Sequence, residues 1–153
     1  MCQPMKKIED EIKQKRFTNN LQKAVVNLIY TSNWLQYRQQ DFFKSFGITG
    51  QQFNILRILK GQHPKSISAT EIKSRMLDRN SDVSRLLDRL AAKKMITKKT
   101  CPNDKRATDV LITAEGMALL KEVSSHQHQD GFLFLSEEEA ATLSDLLDKA
   151  RAE

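Results

Sequence analysis

Apolar residues recur every seven positions in the first third of the chain, at Leu21, Leu28, Leu35 and Phe42. Val25 and Phe46 fill the adjacent turns of the same face. A seven-residue apolar period is typical of a helix with one extended buried stripe, so the pattern predicts a long helix over residues 18–46. Gly47 stands where such a helix would end.

Helical spacing continues after residue 49 in two shorter segments that each open with a capping pattern. Thr49–Gln52 precedes an apolar stripe, and Ser68–Glu71 precedes Ile72 and Met76. A further helix is predicted from about Asn80 to Lys94, with a buried stripe at Val83, Leu86, Leu87 and Leu90. Two short helices joined by a tight turn predict a helix-turn-helix.

The period then changes to the alternation that is typical of strands. Residues 96–100 and 108–112 are β-branched and partly alternating, and the turn-forming segment 101–107 between them is basic. Ser66-Ile67 is a candidate for a very short strand. After the hairpin, Thr113 and Ser136 are placed to cap two further helices.

The predicted fold class is mainly α (α+β): a winged helix-turn-helix in one domain spanning residues 1–153. Residues 49–113 are assigned to the DNA-binding lobe, and residues 18–46 and 114–153 to helices that extend it at both ends. These helices carry more apolar surface than one winged helix needs, which favours a two-fold homodimer. A larger monomeric helical core remains the alternative.

Charge is concentrated on the predicted recognition helix and hairpin. Residues 79–106 carry nine Lys and Arg against three Asp, a net charge of +6, which equals the net charge of the whole 153-residue chain. Such a local excess favours a polyanionic partner, because each neutralised phosphate releases counterions.

Other classes of protein find little support in the sequence. The longest uncharged stretch, residues 24–37, is too short and polar to span a membrane, and the N-terminus has no signal-peptide pattern. Two cysteines and three histidines show no metal-binding spacing, so no cofactor or metal is expected. Without a catalytic triad, phosphate loop or carboxylate pair, we predict a cytoplasmic protein that is not an enzyme.

Candidate DNA-contacting residues follow from how a helix enters the major groove with its N-terminal residues against the base edges. The candidates for base contact are Asn80, Ser81, Ser84 and Arg85. Arg85 could bond two acceptors of a guanine, but a phosphate contact or a pair with an Asp of the chain is an equal alternative. Candidates for phosphate contact are Thr70, Arg89, Lys98 and Lys99.

Asp104, Lys105 and Arg106 occupy the tip of the predicted wing. An arginine there suits the minor groove, where a narrow A·T-rich tract concentrates negative potential. Asp104 is unexpected on a surface that faces phosphate. It either orients an arginine through a charge-assisted hydrogen bond or is a solvated turn residue.

Asp104-Lys105-Arg106, followed by Val110-Leu111-Ile112-Thr113 and Gly116, resembles the wing signature of the MarR (multiple antibiotic resistance regulator) family. The segment Ser81–Leu90 is similar to the family's recognition helix, and the resemblance covers residues 18–150. It implies a DNA-binding regulator in which Asp104 orients Arg106 or an arginine of the recognition helix. Lys94 replaces a glycine that is usual in the family. Val26 replaces the reactive cysteine of the peroxide-sensing branch, so that chemistry is not implied.

The resemblance also implies a small aromatic or anionic effector. Tyr30, Trp34, Tyr37 and Arg38 on the first long helix are candidates for its site. Aromatic packing in a dimer core is the competing explanation for them. The sequence thus predicts a homodimeric, ligand-responsive repressor that binds a pseudo-palindromic double-stranded operator. The alternative is a winged-helix module that binds a protein and no DNA.

Overall fold

The computed structural model describes residues 5–102, 104–130 and 132–152, with the backbone alone at 101, 105, 106 and 128–130. Its helices are α1 Ile8–Glu11, α2 Asn20–Lys44, α3 Gly50–Gln62, α4 Ala69–Arg75, α5 Val83–Ala92, α6 Ala114–Asp130 and α7 Glu137–Ala150. Its strands are β1 Ile67–Ser68, β2 Ile96–Cys101 and β3 Asp104–Ile112. The mainly helical winged helix-turn-helix predicted from the sequence is confirmed.

The core lies where α3 packs against α4, α5, α6 and the sheet. Ile55, Leu56 and Leu59 are the buried stripe of α3, and Leu87 and Leu90 of α5 pack against the same cluster. All five side chains are at most 1% exposed. This core therefore holds the recognition helix rigidly by its apolar face and leaves its polar face outside.

The helix starts follow the capping patterns closely. The Thr49 and Ser136 side chains each form a reciprocal capping box, with Gln52 and Glu139 respectively. At α4 only half of the predicted box forms. The Ser68 hydroxyl accepts from the Glu71 backbone N–H at 3.1 Å, while the Glu71 carboxylate pairs with Arg75 one turn later.

The recognition helix starts later than predicted. We expected it to begin near Asn80, but α5 begins at Val83 with Asp82 as its N-cap. The Asp82 carboxylate accepts from the Arg85 backbone N–H at 3.1 Å, which satisfies a first-turn donor. Asn80 and Ser81 thus belong to the turn between α4 and α5 rather than to the helix.

The sheet has the antiparallel order β1-β3-β2. Its hairpin is longer than the predicted strands 96–100 and 108–112, because both strands continue into the segment assigned to the loop. Thr100 pairs with Thr108 while Cys101 pairs with Asp104, so residues 105–107 are extra on the β3 side. Such an irregularity bends a strand and increases its twist, which sets the direction of the wing tip.

The short helix α1 has no counterpart in the sequence predictions. It docks on α2 through an ion pair between Glu9 and Lys23 and a 3.0 Å hydrogen bond from the Tyr30 hydroxyl to the Glu11 carboxylate, and its Ile8 is buried. The hydrogen bond from Lys23 lowers the pKa of Glu9, and the bond to Glu11 raises the pKa of Tyr30.

No helix within the described ranges is both long and apolar enough to cross a membrane.

Candidate nucleic-acid interface

The exposed face of α5 is built by the same periodicity that buries its other face. Val83, Leu86 and Leu87 point into the core, so Ser84, Arg85 and Arg89 are left exposed. Arg85 and Arg89 are one turn apart and share a face. Within the described part of the chain neither arginine forms an ion pair. Of the alternatives for Arg85, a pair with an Asp of its own chain thus does not occur among the described side chains.

Ser81 differs from its predicted neighbours because it is buried. The residue is only 4% exposed, and its hydroxyl donates to the Asp78 carbonyl at 2.8 Å and accepts from the Gln51 amide at 3.2 Å. The prediction that Ser81 faces solvent or a ligand is wrong. The hydroxyl instead ties α3 to the turn before the recognition helix.

The turn that precedes α5 is a network centred on Asp78. One carboxylate oxygen accepts from the Asn80 backbone N–H at 2.9 Å, and the other accepts from the Gln51 side chain at 3.0 Å. These bonds hold Asn80 at the exposed edge of the turn, beside the start of α5. Gln51 was not predicted to have any role at the site, and no local sequence pattern marks it.

The wing is joined to the recognition helix by an ion pair. Lys98 of β2 reaches the Asp88 carboxylate of α5 at 2.5 Å, and Asp88 is two-thirds exposed. Lys98 was predicted as a phosphate contact, whereas here its charge is already partnered. Lys99, the next residue on β2, is exposed and points to the opposite face of the strand.

Thr70 is exposed in the first turn of α4, next to the N-cap Ser68. Asp104 is exposed at the end of the hairpin and has an interaction partner. The side chains of Lys105 and Arg106 lie outside the described residues, so their roles stay predictions from the sequence.

The wing joins α6 through two residues of the predicted signature, Thr113 and Gly116. The Thr113 hydroxyl donates to the Lys94 carbonyl at 2.7 Å and accepts from the Gly116 backbone N–H at 3.1 Å. A Cβ atom on Gly116 would lie 2.3 Å from the Met95 carbonyl oxygen, so only glycine fits. Lys94 has a φ of +60°, the left-handed conformation that its position after α5 requires.

The four effector candidates share one face of α2, and their side chains have different neighbours. The Arg38 guanidinium lies 5.0 Å from the centroid of the Trp34 ring and 5.3 Å from that of Phe134. Tyr30 is hydrogen-bonded to Glu11, and Tyr37 is 70% exposed.

Among the described residues, no three His, Cys, Asp or Glu side chains are grouped to hold a metal ion.

The core-held recognition helix, the antiparallel wing and the exposed basic face together define the class of winged helix-turn-helix DNA-binding proteins. A family model described as MarR family matches residues 46–107. The chain is 31% identical over 127 residues to the multiple antibiotic resistance protein MarR of Salmonella typhimurium, covering 80% of this chain and 87% of that protein. The chain belongs to the MarR family and is a DNA-binding transcriptional regulator of that family.

Solved structures agree with this assignment. A mutant Escherichia coli MarR in complex with operator DNA is 25% identical, with a TM-score of 0.66, covering 96% of this chain and all of that one. A MarR transcription factor from Planctomyces limnophilus is 27% identical, with a TM-score of 0.67, covering 88% and 95%.

Proposed function

We propose that this protein is a homodimeric repressor that binds a pseudo-palindromic operator and releases it when a small ligand binds. The observation that carries the proposal is the recognition helix α5, whose Ser84, Arg85 and Arg89 are exposed while its apolar face is fixed in the core. A rigidly held helix with a polar outer face is what a major groove accepts. A relative of known structure binds operator DNA through the same fold.

The base-contacting residues in this proposal are Asn80, Ser84 and Arg85, because they are the exposed side chains at the start of α5. Thr70, Arg89 and Lys99 contact phosphates. Lys98 holds the wing against α5 through Asp88. Ser81 is left out of the DNA-contacting set because it is buried.

The homodimer is supported by the apolar surface that one chain leaves exposed. On α2, Leu21 is 78% and Ile29 is 58% exposed, and on α7 Leu146 is 59% exposed. Both helices, α2 and α7, lie outside the DNA-binding lobe of residues 49–113. A second copy would cover this surface and set the spacing between two recognition helices at about 34–36 Å, one turn of DNA.

The effector in this proposal is a small aromatic anion that binds beside Trp34 and Arg38. The support is the stacked pair of cation and indole on a face of α2 that is half-exposed. Trp34 is the only tryptophan of the chain, so its fluorescence reports binding directly. Titration with benzoate should quench it in the wild type and not in Arg38→Ala, and the loaded protein should lose operator affinity.

The proposal is tested by mapping the protein on its own genomic DNA and measuring affinity for the sites found between roughly 50 and 200 mM salt. With several phosphates contacted per dimer, affinity should fall by at least about a hundredfold. A flat salt response or the absence of preferred genomic sites would contradict DNA-binding repression.

The wing is tested by a pair of variants. Arg106→Ala should weaken binding by several-fold to about a hundredfold, most at A·T-rich flanks. Asp104→Ala should also weaken binding if Asp104 orients an arginine, although simple electrostatics predicts tighter binding when a negative charge is removed. Tighter binding by Asp104→Ala would show that the aspartate has no orienting role.

A further inference from the structure

An open groove of about 520 Å³ lies beside the C-terminal half of the recognition helix. Its walls come from the end of α2, the start of α3 and the end of α5. Three cations line it, namely Lys44, Arg89 and Lys93, and none of its eight lining residues is acidic. The groove is therefore a concave basic surface, separate from the base-contacting residues at the start of α5.

The position of these cations is set by the fold. The Lys93 ammonium donates to the Gly47 carbonyl, which holds its charge at the junction between α2 and α3. Lys44 stands in the last turn of α2, and the N-terminus of α3 at Thr49 adds the partial positive charge of a helix start. Arg89 and Lys44 form no ion pair within the described residues.

The groove continues the basic face of α5. Arg85, Arg89 and Lys93 are four residues apart in succession, so their side chains form one row along the helix. Asp88 is on the adjacent flank, where Lys98 of the wing contacts it. The recognition helix thus contacts the wing through Asp88 and borders the basic groove through Arg89 and Lys93.

This arrangement matches the geometry of a helix in the major groove. That groove is about 12 Å wide and is bordered by a phosphate backbone on each side, so a helix within it faces both backbones. The wing lies toward one of them. We propose that the groove formed by Lys44, Arg89 and Lys93 binds a phosphate of the other backbone and so clamps the C-terminal half of the recognition helix to the DNA.

The clamp rests on the proposed DNA-binding function and adds Lys44 and Lys93 to it. Its competitor is a local structural role, because lysines near a helix C-terminus also interact favourably with the helix dipole. Lys60 supplies the matched control. It is an exposed lysine in the last turn of α3, as Lys44 is in the last turn of α2, and it does not line the groove.

The experiment compares the salt dependence of operator affinity for the wild type, Lys44→Gln and Lys60→Gln. Removing one interaction between a cation and a phosphate lowers the slope of log affinity against log salt by about 0.9. Because a dimer has two copies of the groove, Lys44→Gln should lower the slope by about two units, uniformly across operator sequences. Lys60→Gln should keep the wild-type slope, and both variants should keep the wild-type melting temperature. Lys93→Gln should repeat the effect of Lys44→Gln.

A wild-type slope in both Lys44→Gln and Lys93→Gln would overturn the clamp and leave the DNA-binding function intact. Failure of the wild type to bind DNA would instead overturn the proposed function itself. Binding of a free anion is tested separately by titrating the protein with inorganic phosphate at fixed ionic strength. The readout is the NMR chemical shift of the Gly50 and Gln51 amides. Saturable shifts together with unchanged DNA slopes would show a free-phosphate site and also overturn the clamp.

Discussion

Gly116 shows at the scale of one residue why the wing signature contains a glycine. Its Cα lies against the chain after α5, where an added Cβ would meet the Met95 carbonyl at 2.3 Å and the Ile112 side chain at 2.8 Å. One of these contacts is with backbone, so relief requires α6 to move away from the sheet. Gly116 therefore allows α6 to pack directly on the end of the recognition helix.

We expect Gly116→Ala to lower the free energy of unfolding by about 1–3 kcal/mol or more, because overpacking displaces a buried helix. Gly61 is the matched control, since it lies within α3 and an added Cβ there meets nothing within 4 Å. Gly61→Ala should raise stability by up to about 1 kcal/mol. Urea denaturation measures both changes, and equal stability of the two variants would contradict the packing argument.

Tyr30 reports on the docking of α1. Its hydroxyl donates to the Glu11 carboxylate, and losing the proton would place two negative charges together, so its pKa is raised. In a Tyr37→Phe background Tyr30 is the only tyrosine, and its ultraviolet titration can be followed alone. Adding Glu11→Ala should lower the pKa of Tyr30.

The hydrogen bond from Tyr30 to Glu11 also predicts the direction in which stability changes at alkaline pH. A raised pKa in the folded state contributes stability below the unfolded value of about 10, and that contribution is lost as pH rises through the folded value. The drop in melting temperature above about pH 10 should therefore be steeper in the Tyr37→Phe protein than after Glu11→Ala is added. An identical tyrosine titration in both proteins would mean that α1 does not dock on α2 through this bond.

At the scale of elements, the end of α5 is held by a residue in an unfavourable conformation. Lys94 has a φ of +60°, where a side chain costs roughly 1–2 kcal/mol relative to glycine. Its N–H bonds to the Ala91 carbonyl at 2.9 Å and the next N–H bonds to Leu90 at 3.0 Å, which closes the helix. The helix therefore ends in the left-handed geometry that glycine most often adopts, although a lysine stands there.

We expect Lys94→Gly to raise the free energy of unfolding by about 0.5–1 kcal/mol, after the greater chain entropy of glycine is subtracted. Ala92→Gly, two residues earlier at the last residue of α5, should lower it by up to a similar amount. Thermal unfolding of both variants gives the comparison. A loss of stability in Lys94→Gly would show that the Lys94 side chain contributes more than its conformation costs.

At the scale of the whole molecule, the exposed apolar residues of α2 and α7 would form an isologous interface in the proposed homodimer. A change on such a surface acts twice in each dimer, once per copy. Leu28 lies in the middle of the exposed apolar face of α2, which we call the α2 seam, and is 49% exposed in the single chain. Leu28→Lys places a charge there. We expect dimerisation to be at least about tenfold weaker, with little effect on the fold of the monomer, because an unpaired charge is costly to bury.

Leu77 provides the control for that experiment, because it is 90% exposed in the turn after α4 and lies far from the seam in the chain. Leu77→Lys should leave the association constant unchanged. Sedimentation equilibrium measures both variants. If Leu28→Lys associates as tightly as the wild type, the interface lies elsewhere on the molecule.

Features that depend on neighbouring residues could be predicted from the amino-acid order alone. Apolar periods placed α2, α3 and the stripe of α5, and capping residues placed the starts of α3 and α7, because both effects act within one or two turns. The segment Thr113–Gly116 marked the junction between wing and α6 for the same reason. The excess of positive charge at residues 79–106 could also be located from the sequence, because it depends only on consecutive residues.

Pairings across long separations in the chain required the folded structure. Gln51 of α3 bonds to the buried Ser81, Lys98 of the wing pairs with Asp88 of α5, and Lys93 bonds to Gly47 at the edge of the groove. Each of these pairs joins segments whose approach is set by the packing of α3, α5 and the sheet. Local sequence patterns contain no information about that packing. Ser81 and Lys98 were therefore predicted from the sequence as DNA contacts, whereas in the fold they hold other elements in position.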